Sequence, residues 1–399
     1  MQIGHCSRVA AFFGALFLIY GVHLPFLPLW LEWRGLSAEE IAVVVATPFF
    51  LRLGVSPGIA FLADRSGRHR GTIVLLGWWS VAMAALLGQL DGFYAILGAA
   101  VALSLAMTTI MPLTEVIAVG GVRAHGCDYG RMRVWGSLTF ILASSIAAWC
   151  IVLLGVGSVV WLVFVGCLIT AITAHLLPAD TLVVARSGDG KPPLRLGAIR
   201  ELLSSPLFLM FLVACGSIQA AHATYYAFGS IHWTRQGLSA ELIGALWALG
   251  VFAEIVLFAW SGAVYQRLSA GALMVIGGAA SVVRWAMMAV DPGFGVLVLL
   301  QVLHALTFGA SHLAAIRFIS LAVDAKLAGT AQALYATIAM GVAMGGATLA
   351  SGVFYEKMGG STFFLMAGLA GIGLIAAFGV VKFWGGGLLT DAQPKVEFV

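Results

Sequence analysis

Apolar residues run along this chain in long stretches parted by short polar joints. Twelve stretches come close to or exceed the roughly 20 residues that a helix needs to cross a bilayer. They lie at Val9–Leu31, Ile41–Ala63, Thr72–Leu90, Tyr94–Val119, Val134–Leu154 and Val156–Leu177, then at Phe208–Ile231, Leu242–Ala263, Ala272–Val290, Phe294–Ile319, Thr330–Phe354 and Thr362–Phe383. The first is longer than the apolar core of a secretion signal and carries no small-residue cleavage pattern, so it reads as a membrane helix. The longest polar stretch, Pro178–Ser205, contains Arg-Ser-Gly-Asp-Gly-Lys-Pro-Pro, a flexible-linker composition, and divides the spans six and six. The pattern predicts an all-α integral membrane protein of two pseudo-symmetric six-helix bundles: residues 1–177, a linker at 178–205, residues 206–384, and a tail at 385–399.

A repeat supports the division. Gly-Leu-Ser-Ala-Glu-Glu-Ile at 35–41 returns as Gly-Leu-Ser-Ala-Glu-Leu-Ile at 237–243, each copy just before the second span of its half. Two halves of parallel topology leave such a trace. The same offset relates Arg52 to Glu254 and Glu115 to Arg317, charges of opposite sign in equivalent places.

Composition agrees with the pattern. Of 399 residues, 61% are hydrophobic and 10% charged, against roughly 25% charged in soluble domains. The 49 glycines suit close helix packing, as in Gly54-xxx-Gly58 and Gly341-xxx-Gly345. The net charge of +4 does not point to an acidic partner such as nucleic acid, because the basic residues are sorted by loop. Of the 21 Lys and Arg, only Arg34, Arg235 and Lys357 fall on the side away from the N-terminus, while Arg52 and Arg284 lie inside spans. Basic loops stay in the cytoplasm, so both termini are expected there, in a plasma membrane of bacterial type. Cys6, Cys127, Cys150, Cys167 and Cys215 lack paired ligand spacing, and three sit in apolar runs as packing residues. No disulfide framework, metal or cofactor is expected.

Charges at bilayer depth are expensive and normally face protein or a water-filled cavity. Arg52, Glu254 and Arg284 lie inside spans, Glu115 late in the fourth, Arg133 at the start of the fifth, and Gln301, His304, His312 and Arg317 share the tenth. His304 and His312, two helical turns apart, share a face. Carboxylates and imidazoles can carry protons at physiological pH when their surroundings shift them. Glu115, Glu254, His304 and His312 are the candidates for proton coupling, with interhelical salt bridges as the alternative. Prolines 25, 28, 48, 57 and 112 are expected to bend spans one, two and four. His222 and His232 read equally as packed or interfacial.

Ala-Phe-Leu-Ala-Asp-Arg-Ser-Gly-Arg-His-Arg at 60–70 resembles the loop between helices two and three of the major facilitator superfamily. Ala60 and His69 depart from that pattern. The resemblance implies a cytoplasmic gate role for Asp64, with Arg65, Gly67 and Arg68 beside it. Pro-Leu-Thr-Glu (112–115), Asp-Tyr-Gly-Arg-Met-Arg-Val-Trp-Gly-Ser (128–137), Ala-His-Ala-Thr-Tyr-Tyr-Ala-Phe (221–228), Val-Val-Arg-Trp (282–285) and His-Leu-Ala-Ala-Ile-Arg (312–317) resemble the phenylpropionate permease family, with the lactose permease group more distant. The first resemblance implies proton symport of a small aromatic carboxylate such as 3-phenylpropionate; the resemblance to the lactose permease group implies Glu115 and Arg133 at the substrate and matches Glu254 and Arg284 to that group's eighth-helix Glu and ninth-helix Arg.

The expectation is therefore a secondary transporter, not an enzyme, working by alternating access as a monomer. Its partners are the bilayer, protons and a small-molecule substrate. An arginine fork suits a carboxylate, which makes Arg52, Arg133 and Arg284 substrate candidates. Tyr225, Tyr226 and Trp247 are the candidates for packing on its ring. Symport of a sugar or nucleoside and efflux by antiport are the rival readings.

Overall fold

The computed structural model describes residues 4–178 and 196–389. Most of the linker, with Arg186, Lys191 and Arg195, and most of the tail, with Lys395, lie outside the described residues. Within them the chain is helical, because backbone polar groups in hydrocarbon must be satisfied inside the segment. The helices are α1 His5–Trp33, α2 Ala38–Ser66, α3 His69–Leu87, α4 Phe93–His125, α5 Tyr129–Leu154, α6 Ser158–Ala174, α7 Leu196–Leu203, α8 Pro206–Ala220, α9 Ala223–Arg235, α10 Ala240–Ala259, α11 Ser261–Arg267, α12 Ala270–Met288, α13 Phe294–Val302, α14 Ser311–Ala322, α15 Ala328–Thr337, α16 Met344–Met358 and α17 Phe363–Phe383. Helix α7 stands inside the stretch read as flexible linker.

Among the described residues, ten helical stretches are long and apolar enough to cross a membrane, and the shorter apolar helix α6 adds another. One of the ten, Ala328–Phe383, is 56 residues long. The 3-10 turn Gly359–Thr362, entered through Gly359 at φ +53°, divides it into two spans. The twelve spans are recovered in this way, and the protein is a multi-pass membrane protein.

Local chemistry fixes the joints. Ser37 and Glu40 form a reciprocal capping box at the start of α2. The second copy of the repeat turns identically. Gly35 and Gly237 take φ +84° and +86°. Leu36 N–H donates to Leu31 O and Leu238 N–H to Trp233 O, while the two glycine amides donate to Glu32 O and Thr234 O. This is a Schellman cap in both halves, and it requires a residue without Cβ at the left-handed position.

The prolines do not interrupt their helices: α1, α2 and α4 run continuously through Pro25, Pro28, Pro48, Pro57 and Pro112. The irregular places are elsewhere. The chain breaks between α8 and α9 at Ala221 and His222, and turns π-helical at Ala305–Ala310 and Ile338–Ala343. Side chains take up the carbonyls released there. Ser311 Oγ donates toward Thr307 O and Phe308 O, and Gln219 Nε2 toward Phe308 O. His222 Nδ1 reaches Ile218 O and Gln219 O at 3.2 and 3.1 Å.

By contact density the chain divides into two compact units that cut across the expected domain limits. One holds residues 1–190 with Tyr225–Phe252 and Thr348–Gly359; the other holds Lys191–Thr224, Ala253–Ala347 and Gly360–Val399. The first unit contains the ion pair Glu32–Arg235 at 2.6 Å, the Ala38 amide donating to Glu356 at 3.2 Å, and Tyr355 against His232 at 3.3 Å. Two segments of the second half are thus fastened to α1, α2 and α5 at the end bearing Arg34 and Lys357. Gly244 belongs to the same closure, since a Cβ there would lie 2.9 Å from Ala148 Cβ.

Helix contacts in each unit rest on individual glycines. A Cβ at Gly21 would lie 2.5 Å from Phe140 O and 2.8 Å from Ala143 Cβ, and one at Gly373 would lie 2.9 Å from Ala214 O. The pair Gly54 and Gly58, which the sequence offers as a packing motif, would meet nothing within 4 Å among the described residues. Gly21→Val is accordingly expected to destabilise the protein by about 1–3 kcal/mol through overpacking against α5. A lowered thermal midpoint in detergent checks this, while Gly54→Val should melt with the parent.

Candidate functional site

Each unit gathers polar groups among its helices. In the first, α1, α2, α4 and α5 bring together Arg52, Glu115 and Arg133. Tyr129, at the start of α5, donates to Glu115 Oε1 at 3.0 Å and stands within reach of the Arg133 guanidinium. Glu115 and Arg133 lie close enough to attract each other. Arg133 is half-buried, its guanidinium 4.1 Å from the Phe17 ring centre and 5.6 Å from that of Phe13. A cation over an aromatic face gains from the ring quadrupole. Gly136, one turn on, makes the placement possible, because a Cβ there would strike Phe17 at 2.9 Å and crowd Arg133 at 3.1 Å. Tyr20 lies within electrostatic range of both Arg52 and Arg133 and donates to Met107 O at 3.1 Å. Arg52 itself rests 4.8 Å from the Phe49 ring.

The three aromatic candidates also lie in the first unit. Tyr225 and Trp247 stack on each other at 4.4 Å and are 2% and 3% exposed, so their faces are largely committed to one another. The Trp247 indole donates to Ser230 at 3.0 Å. Tyr226 lies 6.1 Å from Trp247 and is only half-buried.

The second unit builds a denser network. Arg284 is fully enclosed. Its fork donates to His304 Nδ1, Thr307 Oγ1 and Gln301 Oε1, each at 3.0 Å, and its central carbon lies 4.5 Å from the Trp285 ring centre. His222 Nε2 meets Thr307 Oγ1 at 3.1 Å. Donor bookkeeping then assigns the protons. His222 Nδ1 faces two carbonyls and must carry hydrogen, so its Nε2 accepts from the Thr307 hydroxyl. His304 Nδ1 accepts from Arg284 and holds no hydrogen, so the His304 proton sits on Nε2. That nitrogen is 3.8 Å from Glu254 Oε2. A hydrogen-bonded line therefore runs from His304 through Arg284 to Thr307 and His222, with Glu254 beside its His304 end. His312 joins by stacking: Phe308 lies between His304 (5.5 Å) and His312 (6.1 Å) in one column of rings.

Arg317, the repeat partner of Glu115, donates to the carbonyls of Tyr265 and Leu268, closing the end of α11. In the loop motif, Gly67 caps α2 at φ +63° and Arg68 is the N-cap of α3, while Arg65 is exposed. Asp64 pairs with His69 Nε2 at 2.7 Å. A residue that departs from the family pattern thus supplies the partner of Asp64.

Several members of these clusters carry little sequence signal. Thr307 and Phe17 are ordinary residues in apolar runs, and Tyr129 and Gly136 are recognisable only through the motif around them. His222 becomes informative once the break after α8 is known. Elsewhere, a cleft of about 290 Å³ lies among Glu201, Ser205, Pro206 and Asp324. None of its lining residues belongs to either cluster.

Comparison with known proteins agrees with the fold. A family model described as the MFS_1 like family matches residues 8–366. The chain is 28% identical over 361 residues to a probable 3-phenylpropionic acid transporter of Escherichia coli (strain K12), covering 88% of this chain and 91% of the relative. It is 25% identical over 364 residues to the maltose permease of Geobacillus stearothermophilus, covering 87% and 86%. Among solved structures, the nucleoside transporter NupG superposes with a TM-score of 0.81 at 16% identity, over 95% of this chain and 99% of that one.

Proposed function

Since the chain belongs to the MFS_1 like family, and is on that ground a membrane transporter of the major facilitator type, we propose that it imports a small aromatic carboxylate, such as 3-phenylpropionate, together with a proton. The observation that carries this reading is the half-buried Arg133 guanidinium held against Phe17 beside Glu115. A guanidinium fork pairs with a carboxylate by two parallel hydrogen bonds, and the adjoining rings offer a face for an arene. Glu115 supplies the competition: while ionised it neutralises Arg133, and once protonated it leaves that charge for the substrate. One proton with one anion makes transport electroneutral, whereas the anion alone would move against an inside-negative potential. Glu254 and His304 form the second proton-carrying pair, and alternating access delivers the load. Tyr226, Arg52 and Tyr20 are further substrate contacts. Asp64 with Arg65, Gly67, Arg68 and His69 is the gate. The Lys and Arg bias supports cytoplasmic termini in a bacterial-type inner membrane, with the monomer as the working unit.

Labelled 3-phenylpropionate in proteoliposomes tests the reading. Uptake should rise with an inward proton gradient and collapse with a protonophore; its absence in folded protein would remove the substrate assignment. Glu254→Gln is expected to keep substrate exchange across equal pH while losing gradient-driven accumulation, because a carrier that cannot release its proton still binds substrate. Accumulation at the parental level would remove Glu254 from coupling. A second reading, symport of a sugar or nucleoside, draws on the maltose permease and NupG relations and on a Glu–Tyr–Arg trio able to take hydroxyls. Competition by maltose or uridine, without effect from aromatic acids, would favour it.

A further inference from the structure

At one end of the first unit, four side chains with metal-ligating chemistry converge outside both clusters. His5 and Cys6 open α1, His125 closes α4, and Cys127 stands in the joint before α5. Cys6 and Cys127 are bridged, with Cα atoms 5.6 Å apart across 121 residues of sequence. This pairing departs from the sequence reading, since the two cysteines lie in separate polar segments that only the fold brings together. The His5 and His125 rings are 4.7 Å apart. His5 Nε2 is buried and has no hydrogen-bond partner among the described residues. Gly121 lets that ring pack against α4: a Cβ there would meet His5 Cδ2 at 2.6 Å, Nε2 closer still, and Cys127 Sγ at 3.5 Å. The His5 nitrogen and the Cys127 sulfur thus both lie near one glycine, and a buried nitrogen left unpaired there is unfavourable unless something binds it.

In this structure no group of three or more His, Cys, Asp or Glu among the described residues is arranged to hold a metal ion. Reduction changes the donor set. Two equivalents of a small thiol reduce the bridge by two electrons and leave as their own disulfide, and Cys6 and Cys127 become thiols. On the orientation proposed above, this end faces the cytosol, where thiols are kept reduced. Two sulfurs and two imidazoles, with one nitrogen already unpaired, match the closed tetrahedral sites of zinc. We propose that His5, Cys6, His125 and Cys127, once reduced, bind a zinc-class divalent cation that clamps the start of α1 to the joint between α4 and α5. Each thiol gives up its proton on binding, so one cation enters as two protons leave.

The test uses the full chain without an affinity tag, purified in detergent, reduced with a phosphine and titrated with cobalt(II). The expected result is a tetrahedral cobalt spectrum with sulfur-to-metal charge transfer, saturating at one equivalent and displaced by zinc. Cys6→Ser and Cys127→Ser should each abolish the charge transfer. His125→Ala and Gly121→Ala should weaken binding by about tenfold or more while eluting as the parent does. Air-oxidised protein should stay colourless. Reduced protein with both thiols free and no cobalt spectrum would overturn the proposal. So would a spectrum that survives in both cysteine variants, or rapid thiol trapping in intact cells that finds the bridge closed. The readout is independent of transport, so its failure would leave the substrate reading standing.

Discussion

Arg284→Gln is expected to abolish proton-driven uptake, lowering it at least about 100-fold, the scale set by leaving two or more buried acceptors unpaired at about 1–3 kcal/mol each. Arg284 has no exposed surface, and its fork is shared among His304, Thr307 and Gln301 at 3.0 Å. Glutamine offers one short amide where two guanidinium nitrogens reached three partners. Without the guanidinium, His304 Nδ1 loses the donor that keeps its proton on Nε2, facing Glu254 3.8 Å away. Arg284→Lys keeps the charge but replaces a planar fork with a point charge, which does not restore the three bonds. It should recover no more than a minor part of the activity. Elution as a single species and a measurable melting transition separate this from misfolding, and a double-mutant cycle with Glu254→Gln should show strong non-additivity. Normal accumulation by Arg284→Gln would exclude the network from coupling.

Arg133→Gln is expected to act differently. It should raise the KM for 3-phenylpropionate by about 30- to 150-fold, the equivalent of about 2–3 kcal/mol for a charge-assisted pair with a carboxylate. The contrast with Arg284 follows from exposure: Arg133 is half-buried over Phe17, while Arg284 is sealed and both its terminal nitrogens are engaged. The uncharged analogue 3-phenylpropan-1-ol, tested by competition, should bind the variant and the parent alike, because its ring contacts survive. Gly136→Ala should reproduce part of the KM effect without touching the charge, since a Cβ would crowd both Phe17 and Arg133. An unchanged KM in Arg133→Gln would move the carboxylate contact elsewhere, with Arg52 the next residue to examine.

Much of this protein was legible in its sequence because a bilayer imposes long apolar runs, and run length alone counts the spans. The repeat announced two halves, and both copies turn through a left-handed glycine, because a short loop leaving a helix has few solutions. Intramembrane charge made Arg52, Glu115, Arg133, Glu254 and Arg284 visible, since such residues stand out in hydrocarbon. What only the tertiary structure decided was partnership. Proline marked no break, because neighbouring groups tolerate it, whereas π-turns arose at Ala305–Ala310 and Ile338–Ala343 without any proline. The irregular turn at Ala305–Ala310 depends on Ser311 and Gln219 taking up released carbonyls, a condition met across helices and invisible along one. Asp64 found His69, and Cys6 found Cys127 across 121 residues. Hydrophobic periodicity is a local, one-dimensional record of solvent, so it determines which segments enter the membrane. Which polar atoms meet there depends on helix rotation and approach, and those are set by where glycines such as Gly21, Gly121 and Gly136 let neighbouring helices come close.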